Sequence, residues 1–422
     1  MFKAMNFLWL PLLFFLNGNW ILPWRIPNPY TRDKFACDTF QSLLRFEQTT
    51  HQPIYQLIIM SPASVQKLLL VFYNVSEVEH LRPMARDLRL LHNRAFSINS
   101  NIGILAARAI HQLFSHDELI YFIEPNFVME FFANDFDQLG DDISVQNFFV
   151  FDGEFELAKG FEESVRNYFN ITIMAKHQPP VSGLMQEFRL QSHGLEIYSL
   201  INFNAHLGNE FISIDRFHYG RGFFRYSESP ILGGSLAEPT NCKILELPLN
   251  AASTEGLSLM LVMPTKHMTL QELEDKFLLL KFQSFWRLAR QMRYTQVSVR
   301  LPKVKFTSRV NVGLLLSEMS QMHLHKLFKM ETQYRGMFDS AFNRPIKITH
   351  FVQSINMQLI APGVVQLREP INSQSFFNVS HSFDCAEGPF LFLVRSSSVI
   401  YFMGHYRRIP KAFRARAHFG QY

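Results

Sequence analysis

Two apolar runs near the C-terminus constrain the fold more than any other feature of the chain. Pro389-Phe390-Leu391-Phe392-Leu393-Val394-Arg395 and Val399-Ile400-Tyr401-Phe402-Met403-Gly404 each have strand length, and only Ser396-Ser397-Ser398 separates them. Aromatic and β-branched runs joined by small polar residues predict a buried β-hairpin. Such a hairpin needs a sizeable core around it. A chain of 422 residues, 47% hydrophobic and 18% charged, can build one. That length allows two or three domains, or one large sheet-based domain.

The N-terminus has the composition of an export signal over residues 1–18. Lys3 supplies a positive start, Phe7 to Leu16 an apolar centre and Gly18 a small residue near a cleavage point. About ten apolar residues are too few to cross a bilayer, and no second run is long enough, so no membrane span is expected. Asn74-Val75-Ser76, Asn170-Ile171-Thr172 and Asn378-Val379-Ser380 are glycan acceptor sequons, making Asn74, Asn170 and Asn378 candidate glycosylation sites of a secreted chain. Cys37, Cys242 and Cys385 are too few and too far apart for a disulfide framework or a metal site. One bridge with a free thiol and three free thiols both remain open. The net charge of +5 is concentrated in Arg407, Arg408, Lys411, Arg414 and Arg416, a solvated basic tail that could meet a heparin-like polyanion and does not call for nucleic acid.

Between these ends the periodicity alternates between helix and strand. Residues 30–50 carry a helical pattern, and Ser61-Pro62-Ala63-Ser64 opens a second helix, with Ser61 as N-cap and Pro62 where its missing N–H costs nothing. Further helical runs fall around 81–91 and 118–132. Ser144 to Val150 reads as a strand, Phe161 to Phe169 as an amphipathic helix and Ile171 to Ile173 as a strand. Phe217 to Tyr226, Ile244 to Leu249 and Leu257 to Pro264 predict an antiparallel meander. Thr269 faces Glu272 in a capping arrangement. Val297 to Phe306 alternates as one strand with a buried and a wet face. Leu314 to Met322 is helical, with its end near Leu327-Phe328, and Tyr334 to Met337 and Ile346 to His350 complete the pattern.

The Phe383 and Pro-Phe-Leu-Phe signature, the Ser-Pro-x-Ser helix entry, the Leu301-Pro302-Lys303 strand and the Arg335-Gly336-Met337 turn resemble the serpins, in that order, over residues 30–408. The resemblance implies an α+β single domain with large, mostly antiparallel sheets, about eight or nine helices and an exposed reactive-centre loop, followed by a basic tail at 409–422. It implies no catalytic residue, no cofactor and no metal. The partner would be a serine protease, and the protein would be a monomer. No nucleophile elbow, zinc helix or phosphate-cradling loop argues for an enzyme.

In that family a protease cuts the loop, and the severed loop inserts as a new strand of the main sheet. Counting forward from His350 and back from Pro389-Phe390 places the bait bond at Gln374-Ser375. Arg368 is the alternative for a trypsin-like enzyme, and Phe376 or Phe377 would suit a chymotrypsin-like one. The hinge falls on Gln358, Ile360, Ala361, Pro362 and Gly363. Pro362 lacks the N–H that a central strand requires, and Ile360 is stiff where the loop must fold over. Glu210 or Phe211 stands where the family carries a Trp. These departures predict weak or lost insertion, with intact suicide inhibition as the alternative.

Overall fold

The computed structural model describes residues 29–49, 57–75, 135–151, 155–175, 194–214, 216–230, 240–250, 256–265, 267–279, 291–303, 305–318, 324–329, 345–364, 381–385, 388–397 and 399–407, with short pieces around 84–88 and 334–339. Two sheets organise them. A five-stranded sheet runs in the order β10-β11-β4-β2-β3, from β2 (Ile143–Phe151), β3 (Ile171–Ala175), β4 (Leu195–His206), β10 (Lys305–Asn311) and β11 (Ile348–Ile360). A ten-stranded sheet joins β1 (Leu57–Met60), β15 (Ile400–Tyr406), β14 (Phe390–Arg395), β8 (Ser258–Pro264), β7 (Cys242–Pro248), β6 (Phe217–Glu228), β5 (Phe211–Ile214) and β12 (Gly363–Val364). On its side branch, β9 (Arg293–Pro302) pairs with β6 and β13 (His381–Asp384) pairs with β9.

Most pairings are antiparallel; the parallel ones are β11 with β4, β2 with β3, β12 with β5 and β13 with β9. The described helices are α1 (Pro29–Thr49), α2 (Pro62–Val75), α3 (Lys159–Phe169), α4 (Leu270–Leu279), α5 (Val312–Glu318) and α6 (His325–Lys329), with a 3₁₀ turn at Asp137–Asp142. The helical runs expected around 81–91 and 118–132 lie almost wholly outside the described residues.

The C-terminal hairpin forms as its sequence requires. β14 and β15 pair from Phe390↔Tyr406 to Arg395↔Ile400, and the turn closes with Ser396 N donating to Val399 O at 2.9 Å. Phe392, Tyr401 and Phe402 are buried. β1 covers the outer edge of β15 and β8 that of β14, so the hairpin has a neighbour on each side. α2 is buried along almost its whole length, and Ser64 N donates to Ser61 Oγ at 3.3 Å in the N-cap read from sequence. Thr269 and Glu272 complete the second cap, with Thr269 N on Glu272 Oε2 at 2.7 Å and Glu272 N on Thr269 Oγ1 at 3.2 Å.

Two expectations are corrected. Val297 to Phe306 is not one strand: β9 ends at Pro302 and β10 starts at Lys305, each in a different sheet. Val297, Ser298 and Val299 are buried in succession on β9, whereas β10 alternates, so two half-patterns abut at a sheet change. Arg407 does not belong to a solvated tail. Its guanidinium is drawn onto Glu274 at 2.6 Å and lies 3.8 Å from Glu47. Arg408, Lys411, Arg414 and Arg416 lie outside the described residues. The three cysteines are free and buried.

Candidate functional site

The site is a seam rather than a pocket. β11 and β4 run parallel in the middle of the five-stranded sheet, in register from Ile348↔Leu195 to Ile360↔His206. Leu195 N donates to Lys347 O at 2.9 Å at one end, and Leu207 N to Ile360 O at 2.7 Å at the other. On the outer side Asn356 Nδ2 donates to Asn202 Oδ1 across the seam at 3.0 Å.

Underneath, a small polar cluster interrupts the apolar floor. Gln353 and Ser199 face each other in register. Gln353 Oε1 accepts from Ser61 N at 2.7 Å, and Ser64 Oγ lies 3.0 Å from Ser199 Oγ. Helix α2 is thereby tied to both sides of the seam, through Ser61 to β11 and through Ser64 to β4. All four residues are buried, so their hydrogen bonds must be broken or replaced before the strands part.

A strand entering between β11 and β4 from the end of β11 would be antiparallel to both. It would exchange one parallel ladder for two antiparallel ones, which are the more stable per residue.

The residues expected to form the hinge lie at one end of this seam. Gln358 and Ile360 are still in β11, opposite Asn204 and His206. Ala361 is buried and Pro362 exposed, in the bend between β11 and β12. Gly363 and Val364 then pair with Ile212 and Ser213 of β5 in the other sheet. C-terminal to residues 365–380, β13 pairs with β9, and Phe383 and Cys385 are buried. The described residues on either side of 365–380 are therefore paired to strands that flank β6. Arg368, Gln374, Ser375, Phe376, Phe377 and Asn378 fall outside the described residues. Phe211 is buried and packs on Phe224 with ring centroids 5.8 Å apart, whereas Glu210 is exposed, so the aromatic fills this corner. Asn170 is an exposed C-cap of α3 in the left-handed region, and Asn74 lies in the last turn of α2.

Sequence reasoning missed Gln353, Ser199 and the role of Ser64. The available signal was one polar residue in the otherwise apolar inward row Phe351, Ile355, Met357 and Leu359.

His218 on β6 sits beside the β5–β12 pairing. Its Nδ1 lies 2.8 Å from Ser213 Oγ, and Ser213 pairs with Val364. Burial lowers its pKa from 6.5 to about 4, the Lys303 charge adds to this, and the Leu359 backbone pulls the other way. The folded chain thus holds His218 neutral, while the unfolded chain binds a proton below about pH 6.5. Stability attached to this group is full above pH 6.5 and is lost as pH falls toward 4, by about 3 kcal/mol in total. Thermal melts from pH 7.5 to 4.5 should show this decline, and His218→Gln should flatten it. An equal decline in both proteins would rule out His218 as the source.

The family model "Serpin (serine protease inhibitor)" matches residues 223–409. No curated protein matches the chain. Two solved structures share its fold over nearly their full length. SRPN18 from Anopheles gambiae aligns at 15% identity with a TM-score of 0.59, covering 91% of this chain and 98% of that one. Native protease nexin-1 with heparin aligns at 12% identity with a TM-score of 0.59, covering 90% of this chain and 100% of that one.

Proposed function

We propose that this chain, a serpin by its fold and by the family model over its second half, presents its loop to serine endopeptidases as a substrate and does not complete the insertion that inhibition requires. The observation that carries this reading is the register of the seam combined with the sequence of the loop. A two-residue reversal at Pro362-Gly363 suits both residues, since Pro fits the first turn position and Gly the second. Pro362 then lies in the turn and leaves the ladder intact. The obstacle stands further along.

With that reversal, Val365 would lie opposite Ile360 and Arg368 opposite Met357. With a reversal one residue longer, Glu369 would lie opposite Met357. Met357 is paired with Phe203, both are buried in one cluster, and Phe203 stacks on Phe402 at 5.2 Å. Because Arg368 and Glu369 are adjacent, either parity drives a charge into this apolar floor. Burying it without a partner costs several kcal/mol. Pro370 follows at once, and its missing N–H leaves an acceptor unmet for about 1–3 kcal/mol more. Entry would stall after Leu367, while the acyl bond to the protease hydrolyses.

The reading includes export by residues 1–18, a domain over 30–408, and glycans at Asn74, Asn170 and Asn378. It assigns a heparin-like polyanion to Arg408, Lys411, Arg414 and Arg416 of the tail, in line with the heparin-bound nexin-1 of the same fold. The test is incubation with trypsin-, chymotrypsin- and elastase-like enzymes. Loop cleavage is expected, with no complex surviving a denaturing gel and little change in melting temperature. A covalent complex with any of the three would overturn the reading.

A further inference from the structure

The outer face of the ten-stranded sheet carries an exposed aromatic corner. Along β6 and β9, paired residues share a face and alternate residues return to it. Tyr219↔Arg300, Arg221↔Ser298, Phe223↔Gln296 and Arg225↔Tyr294 therefore all stand on one face. The opposite face holds Phe224, Tyr226, Val297 and Val299, all buried. Phe223 and Tyr294 are diagonal neighbours in this register, close enough for both rings to meet one bound group. They are 70% and 75% exposed. Single exposed apolar residues are ordinary on a protein surface. Among the described residues, however, only Leu314 joins these two as a large exposed hydrophobic, so their adjacency marks one place.

The other end of the same strand pair shows a closed version of this arrangement. There the Arg300 guanidinium carbon lies 4.0 Å from the Phe217 ring centroid and 5.8 Å from that of Tyr219, and Asp384 Oδ2 is 3.3 Å from its Nη1. Cation, rings and carboxylate complete one another within the chain. At the Phe223–Tyr294 end the nearby cation is engaged elsewhere, since Arg225 Nη1 is held by Glu246 at 2.8 Å. Arg221, two residues before Phe223, and Arg293, next to Tyr294, are exposed. Neither meets a carboxylate among the described residues.

The carboxylates near this face are already committed. Glu246 holds Arg225 and accepts from Ser258 Oγ at 2.8 Å, Asp384 holds Arg300, and Glu228 lies 3.3 Å from Lys243 Nζ. A partner must therefore bring the negative charge that Arg221 and Arg293 lack. Arg293 pairs with Tyr226, and Arg221 to Tyr226 spans about 17 Å of extended strand. The two arginines thus bracket the rings at a spacing that acidic side chains on one extended segment can match. Exposed rings flanked by arginine have the composition of the energetic centre of a protein interface, whereas a polyanion would use the charges and leave the rings idle. The corner also lies beyond both pairings that flank residues 365–380. β12 meets β5 opposite the Tyr219 end of β6, and β13 meets β9 from Val297 onward.

We propose that the Phe223–Tyr294 corner docks an extended acidic segment of a partner protein, with an apolar side chain on the two rings and carboxylates on Arg221 and Arg293. Gln296, exposed and paired with Phe223, supplies a polar contact between them. The apolar side chain covers ring surface that water now wets, and the carboxylates meet guanidinium groups without displacing an existing ion pair. The proposal stands apart from the fate of the loop. A chain that inserts its cut loop and one that does not would present the same corner.

The probe is a library of random linear peptides displayed on phage and selected on the intact chain, with the double variant Phe223→Ser, Tyr294→Ser as the counter-selecting protein. Enriched peptides are expected to carry an aromatic or large aliphatic residue with acidic residues on both sides. A synthetic copy should bind in fluorescence anisotropy. Phe223→Ser, Tyr294→Ser and Arg221→Glu should each weaken it tenfold or more at an unchanged melting temperature. A copy with one acidic flank exchanged for lysine should prefer Arg221→Glu over the parent chain, a reversal that a merely structural effect would not produce. Enrichment of neutral or basic peptides, or of none that depend on the two rings, would overturn the proposal. Equal binding by a copy whose aromatic or aliphatic residue is alanine would show a surface for polyanions instead. A dimer in sedimentation that both ring variants abolish would make the occupant a second copy of this chain, and either result overturns the proposal.

Discussion

Replacing Arg368, Glu369 and Pro370 together by alanine should convert a chain indifferent to loop cleavage into one that gains about 10 °C or more in melting temperature once cut. The substitution removes a charge that either register buries against Met357 and Phe203, and it restores an N–H to the incoming strand. Together these costs come to roughly 4–8 kcal/mol. Without them, the two antiparallel ladders that replace the parallel β11–β4 ladder should prevail. Cleavage by a chymotrypsin-like enzyme keeps the comparison fair, because Phe376 and Phe377 are untouched and the Arg368 cut is lost. Calorimetry on cut and uncut samples of both proteins reads the effect. A parental chain that already gains stability on cleavage would sink the argument. A triple variant that gains none would move the obstacle elsewhere, to Ile360 or to the polar cluster of Ser61, Ser64, Ser199 and Gln353.

The fold was legible wherever a segment has one environment along its length. The hairpin of Phe390–Arg395 and Ile400–Tyr406 is buried on both faces, so its continuous apolar runs carried it. The caps at Ser61 and Thr269 were legible because capping is local chemistry between residues three apart. The strand at Val297 to Phe306 was misread for the opposite reason. β9 and β10 belong to different sheets, and alternation says nothing of which sheet a strand joins. The seam was illegible for the same cause, since Ser61 and Gln353 meet across 292 residues. Pro362 drew attention in sequence because a proline near a strand is conspicuous. Its exposed place beyond Ile360 shifts the weight to Arg368, Glu369 and Pro370, whose meaning needed the inward row of β11.

His405 exposes a cost the C-terminal hairpin meets elsewhere in its burial. It is fully buried on β15, with Nδ1 2.9 Å from Glu274 Oε1 and Nε2 3.6 Å from Glu47 Oε2. Arg407 Nη2 reaches Glu274 at 2.6 Å, so an imidazole and a guanidinium from β15 and its end meet carboxylates from α1 and α4. His405→Ala should cost about 3–5 kcal/mol, because it leaves two buried carboxylates facing one guanidinium. The loss should depend on pH. Burial already raises the Glu47 pKa, while His405 and Arg407 hold it down and Glu274 adds to the rise. Without His405 the folded state binds the Glu47 proton more tightly still than the unfolded state does. The deficit is then largest near pH 7 and shrinks as pH falls toward the unfolded carboxylate range. Denaturant unfolding at pH 7 and pH 5 measures both quantities. His405→Leu combined with Glu274→Leu should recover most of the stability, since an apolar pair of similar volume asks for no compensation. A deficit that stays constant with pH, or a double variant no better than the single one, would show that the imidazole acts by its volume and not by its charge.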